Sequence, residues 1–128
     1  MQYFFSKTLN SGFEESIVKV TEALKSEGFG IVSEIDMQAK LKEKLNVDIR
    51  KYRILGACNP AFAYKAMQAE EMIGVMLPCN VVVIDKENGT TEIAVVDPMA
   101  SMMAIENTSL GDTAQEVTDR LKKVVELL

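Results

Sequence analysis

Two short segments, Cys58-Asn59-Pro60 and Pro78-Cys79-Asn80, hold the residue types best suited to chemistry in this chain. Each sets a thiol beside an amide at the end of an apolar run. A thiolate is both a nucleophile and a soft metal ligand, and a position just ahead of a helix favours it through the positive end of the dipole. Cys58 stands one residue before a helix cap, so it reads as a reactive thiol with Cys79 as resolving partner or second soft ligand. The competing reading is that both are small hydrophobes packed at strand ends, since free cysteine is among the most buried residue types. Asn59 is accounted for largely by capping. Asn80 opens an apolar strand and needs partners if buried. Cys58, Asn59, Cys79 and Asn80, with Arg53, therefore define a candidate pocket for a small polar ligand, and a structural clamp between two chain crossings accounts for the same residues.

The chain contains no histidine. That removes Ser-His-Asp triads, Cys-His dyads and His-ligated zinc, iron or haem sites, together with the usual general base near neutral pH. No Walker loop, GxGxxG or paired CxxC occurs. Eight methionines raise the possibility of a Cu(I) site, above all at Met99, Met102 and Met103. Methionine at helical spacing also fills irregular core gaps or forms adaptable interfaces, and that reading is preferred. Asp97 serves as a helix cap, and with Glu70 and Glu71 it makes no pair whose spacing demands acid–base work. No catalytic residue, metal or cofactor is assigned, and the balance leans away from an enzyme.

Composition narrows the setting. At 128 residues with 48% hydrophobic and 26% charged side chains, the chain is expected to form one globular domain spanning 1–128. Its apolar runs, such as Val81 to Ile84, are too short for a bilayer, and no secretory leader is expected from Met1-Gln-Tyr-Phe-Phe. Two cysteines without a disulfide framework suit a reducing compartment, so the cytoplasm is expected. The net charge of −5 is concentrated in the second half. An acidic domain repels phosphate backbones, so no nucleic acid and no membrane are expected as partners. The basic cluster of Lys40, Lys42, Lys44, Arg50, Lys51 and Arg53 reads as a solvated helix face followed by a turn, with an anion patch as the alternative.

The elements that must position the two cysteines follow from periodicity. Residues 2–8 predict a strand. Ser11 with Glu14 predicts a capping box for a helix whose stripe is Phe13, Ile17, Val20 and Leu24, closed by Gly28. Phe29 to Ile35 predicts a strand with Phe29, Ile31, Ser33 and Ile35 alternating onto one face. Asp36 caps a shorter helix with Met37, Leu41 and Leu45 inward. Tyr52 to Cys58 is a strand in which Gly56 marks close backbone approach or a bulge. Asn59-Pro60 starts a helix running to about Ala69 or Ile73. An extended leg, Val75 to Leu77, then leads through Pro78 into the strand Val81–Asp85. If that leg runs back along the helix, the two cysteines share one end of the sheet. Asn88-Gly89 predicts a hairpin into Thr91–Val96. Asp97-Pro98 caps a short Met-rich helix, and Asp112 with Gln115 opens the last one, with Val117, Leu121, Val124, Val125 and Leu128 inward. The hairpin forces an antiparallel pair, which favours α+β over a doubly wound parallel sheet.

Taken in order, Gly28-Phe-Gly-Ile-Val-Ser-Glu-Ile-Asp36, Tyr52-Arg-Ile-Leu-Gly-Ala-Cys-Asn-Pro60, Leu77-Pro-Cys-Asn-Val-Val-Val83 and Val96-Asp-Pro98 resemble the bacterial and archaeal family called domain of unknown function three-hundred-and-two. The likeness spans nearly the whole chain. It implies an α+β fold with a single antiparallel β-sheet and helices packed mainly on one face, similar to half of a TATA-binding protein, and it implies a homodimer. It implies no reaction, and a fold does not carry function. The expectation is a non-catalytic small-ligand-binding or protein-interaction domain acting as a homodimer; the alternative is a thiol-dependent redox or sulfur-handling protein using Cys58 with Cys79.

Overall fold

Five strands, β1 (Phe4–Leu9), β2 (Gly30–Asp36), β3 (Tyr52–Cys58), β4 (Cys79–Asp85) and β5 (Thr91–Val96), form one sheet in the order β1-β5-β4-β3-β2. Every neighbouring pair is antiparallel. The structure is a computed structural model that describes residues 2–128. Burial alternates along the central strands: Leu55 and Ala57 of β3, Val81 and Val83 of β4, and Ile93 and Val95 of β5 are buried on one face. Their neighbours Ile54, Val82, Ile84, Ala94 and Val96 stay half-buried on the other. This is the period-two pattern of an antiparallel sheet with a single packed face.

Two amphipathic helices cover that face. Helix α1 (Phe13–Ser26) brings Phe13, Val20 and Leu24, and helix α5 (Gly111–Leu127) brings Val117, Leu121 and Val124, into the same core cluster as the strands. Each such buried Val or Leu contributes about 1.5–3 kcal/mol of transfer free energy, so this face dominates the stability. The connecting helix α2 (Met37–Leu45) differs, since it buries no side chain. It is held instead by Asp36, whose carboxylate accepts from Ala39 N–H at 3.0 Å, and by Gln38, which donates to the Ile49 carbonyl at 3.0 Å.

Several local expectations change in the folded chain. Ser11 makes no capping box. Gly12 is the N-cap without a side-chain bond, while the Ser11 and Ser16 hydroxyls pair at 2.7 Å and Thr91 donates to the Ser11 carbonyl at 2.8 Å. A buried serine next to the sheet is better satisfied by these partners than by a helix end open to solvent. The Asn88-Gly89 turn is wider than a two-residue hairpin: Lys86 N–H donates to the Thr90 carbonyl at 3.1 Å, and Glu87 and Gly89 both take positive φ. The expected extended leg 75–77 is largely a 3-10 turn, Glu71–Met76, packed beside helix α3 (Pro60–Ala69). The short helix α4 (Pro98–Ser101) and a second 3-10 turn, Thr108–Leu110, precede α5, so Asp112 lies inside the first turn of that last helix.

The largest departure is in β2. Ile31 pairs with Ala57, and Ser33 pairs with Gly56, so Val32 is an extra residue that bulges out of the ladder. A bulge shifts every later side chain to the other face. Phe29 and Ile31 accordingly join the core, whereas Ser33 and Ile35 lie on the open face beside Gly56 and Ile54. Gly56 makes the crossing possible. A Cβ there would collide with the Ser33 hydroxyl and lie 2.6 Å from Pro78 Cγ. We expect Gly56→Ala to lower stability by about 1–3 kcal/mol through this overpacking. Gly30→Ala, in the same strand pair but with nothing within 4 Å of its Cβ position, should change it far less. Urea denaturation of both variants measures the difference, and equal midpoints would contradict the crossing.

Candidate functional site

Antiparallel pairing of β3 with β4 sets Cys79 opposite Ala57, one residue before Cys58, so both thiols stand at the same end of the sheet. They are free and half-buried. From that end Asn59 starts α3: its side chain accepts from Phe62 N–H at 3.4 Å, and Pro60 sits in the first turn. The helix leads away from the sheet end and then returns through the 3-10 turn to Pro78, so the chain encloses a space between α3, α5 and the strand ends.

That space is a cavity of about 320 Å³. Ala57, Cys58 and Cys79 form its sheet side. Phe62 and Ala66 of α3 face Ala114 and Val117 of α5 across it, and all four are buried. Besides the thiols, only Asn59 and Thr113 bring polar side chains to the lining. The small side chains at 57, 66 and 114 leave the volume, since larger ones would fill it. Val32, pushed out by the bulge, and Met67 also line the cavity and are 64% and 57% exposed, so they mark its mouth. Met102, Leu110 and Ala114 line both this cavity and a neighbouring one of about 200 Å³.

The five residues singled out from the sequence separate into two places. Cys58, Asn59 and Cys79 meet at the cavity. Asn80 pairs with Gly56 and is exposed on the open face, outside the cavity lining. Arg53 lies five residues back along β3, roughly 16 Å from Cys58 at the rise of a strand. There its guanidinium, only 19% exposed, meets Glu34 at 3.1 Å, Glu14 at 3.5 Å and Asp36 at 3.6 Å, and it lies 5.2 Å from the Phe13 ring centroid. It cross-links α1, β2 and β3. Of the basic cluster around it, Lys42 pairs with Asp48 at 3.1 Å, and Lys51 lies over the same Phe13 ring at 5.8 Å. Sequence reasoning missed Phe62, Ala66, Ala114 and Val117 as walls. The signal available was the three alanines at 61, 63 and 66, which leave room wherever that helix packs.

Such an arrangement defines a small α+β domain, one antiparallel sheet with helices on its packed face and an apolar pocket at one sheet end. The chain belongs to the family described as Domain of unknown function DUF302, whose model matches residues 5–128. It is similar to an uncharacterized conserved DUF302 protein from Bacillus stearothermophilus, known from a crystal structure, with 29% identity and a TM-score of 0.90. That match covers 99% of this chain and 98% of the other. No curated protein matches the chain.

The two thiols are not equivalent. Burial, and then repulsion from Cys58, push the Cys79 thiol from its ordinary 9.0 up to about 11. A thiol whose pKa is raised by folding holds its proton more tightly in the native state than in the unfolded chain. Its stabilisation is full below pH 9 and is lost as pH rises towards 11. The loss amounts to about 2–3 kcal/mol at 1.36 kcal/mol per unit. In urea unfolding between pH 9 and pH 11, wild type should therefore lose stability faster than Cys79→Ala. Parallel pH profiles would show that Cys79 is not buried as described.

Proposed function

We propose that this chain is a non-catalytic cytoplasmic binding domain, acting as a homodimer, that holds a small apolar molecule in the cavity between α3, α5 and the ends of β3 and β4. The supporting observation is the lining itself: a volume of about 320 Å³ walled by Phe62, Ala66, Ala114 and Val117, with almost no polar side chain. Ligand pockets begin near this size, are mostly apolar, and use a few polar groups to orient the occupant. Asn59 and Thr113 fill that role here. An apolar lining changes the kind of ligand that the Cys-Asn segments suggest, from polar to hydrocarbon-rich.

The homodimer rests on the other face of the sheet, where Ile54, Val82, Ile84, Ala94 and Val96 are only half-buried and Ile35 is 41% exposed. Contiguous apolar surface of this kind marks interaction sites. A second reading, thiol-dependent redox or sulfur handling, is favoured by the two cysteines facing one cavity. It requires Cys58 to act as nucleophile beside a Cys79 that stays protonated, and hence Cys58 to alkylate well before Cys79 in the folded protein.

Amide NMR during titration with octanol, a neutral apolar probe, tests the binding reading. Shifts should saturate at Ala57, Phe62, Ala114 and Val117 and leave Val82 and Ala94 unmoved. Shifts spread evenly over both faces, or none with octanol or with its carboxylate and phosphate analogues, would overturn the pocket. The same spectra give the rotational correlation time, and a monomer's value would remove the dimer.

A further inference from the structure

We propose that the occupant of this cavity is an amphipathic anion, an apolar tail carrying a carboxylate or phosphate head that is held at the rim by Arg120 and Lys65. The inference rests on the pocket reading above and adds the chemistry of the head group.

Phe62 connects the tail site to the charges. Its ring lines the cavity and is itself buried, with Arg120 Cζ 5.2 Å and Lys65 Nζ 5.9 Å from the ring centroid. Two cations thus converge on one wall residue from two helices, Lys65 from α3 and Arg120 from α5. Both are exposed, and among the described residues neither has a carboxylate within ion-pair distance. Arg120 makes one donor contact, to the Glu27 carbonyl at 3.3 Å, which leaves most of its five donors for another partner.

The amide of Asn59 stands beside them. A Cβ on Gly28, which has a positive φ, would meet Asn59 Nδ2 at 2.9 Å and Arg120 Nη1 at 4.0 Å. Amide and guanidinium therefore flank the same point, and Asn59 also lines the cavity. Gly28 is the close of a Schellman turn, with Gly28 N–H donating to the Lys25 carbonyl and Phe29 N–H to the Leu24 carbonyl, each about a normal hydrogen-bond length at 3.0 and 2.9 Å. Its missing side chain keeps this corner open. Neither cation lines the cavity itself; both reach it through Phe62, and in a chain of net charge −5 two cations stacked on a wall residue beside the Asn59 amide favour a negatively charged head there. An uncharged hydrocarbon would make no use of them.

Binding of octanoate, octyl phosphate and octanol to the full chain, followed by amide NMR, separates the possibilities. For wild type, octanoate or octyl phosphate should bind at least as tightly as octanol, and whichever is tighter identifies the head group. In Lys65→Gln/Arg120→Gln the anion should weaken about tenfold, the loss of a charge-assisted contact, while octanol stays within about twofold. Both positions are exposed, and a wild-type amide spectrum confirms that the variant folds. Arg120→Lys, which keeps the charge, should retain most of the anion affinity. Raised salt should weaken the anions and leave octanol unchanged. Equal effects on anion and alcohol, or no effect of the double substitution, would overturn the head-group inference and leave the pocket standing. Failure of all three probes to bind would overturn the pocket and this inference together.

Discussion

The close crossing of three chain segments at Gly56 is the constraint on which the rest of the structure depends. Ser33 of β2 and Pro78 ahead of β4 both approach β3 at the one residue that has no side chain to exclude them. The approach of Ser33 sits at the step where the β2 ladder slips by one residue, and that slip ejects Val32. The approach of Pro78 leads directly into the register that puts Cys79 opposite Ala57. Bulge, register and cysteine placement are thus consequences of one local packing requirement.

From that crossing the pocket follows by geometry. Phe29 and Ile31 remain on the packed face, whereas the polar Ser33 passes to the open one. Cys58 and Cys79 are brought to one sheet end, and the capped, proline-started α3 departs from it. The helix returns through a 3-10 turn, and Asn107 fastens this excursion by donating to the Ala69 carbonyl at 2.8 Å. Helix α5 is anchored independently, through its core residues and through Thr118, which donates to the Asp97 carboxylate at 3.1 Å. Small residues at 66 and 114 meet between these two rigid supports. The walls are held apart by the sheet and by α5 itself, which is how an apolar space persists next to a well-packed core.

Much of the fold was legible in the sequence, because its strongest signals are local. The stripes of α1 and α5, the Asn59-Pro60 and Asp97-Pro98 starts, and the alternation of β4 and β5 all report elements whose packed side chains repeat at a fixed period. The failures lie where tertiary contacts decide. Ser11 reads as a cap until the neighbouring Ser16 and Thr91 are known to compete for it. Ile35 reads as a core residue until the bulge reverses its face. Arg53 was legible as a functional cation only in the absence of its partners, since Glu14, Glu34 and Asp36 come from two other elements. The candidate site was half visible: the thiols announce themselves by type, whereas walls such as Ala66 and Ala114 contribute by being small. Lys65 stands three residues after Phe62 on one helix, a local relation, whereas Arg120 gave no local sign, because only folding brings α5 against Phe62.

If the space behind Cys58 and Cys79 is a dry, accessible apolar cavity, a neutral apolar atom should enter it. Diffraction from crystals held under xenon pressure tests it most directly, since xenon enters apolar cavities and avoids polar ones. A xenon site is expected between Phe62, Val117 and Cys79. Ordered water in that volume, or side chains closed over it with no xenon bound, would contradict it.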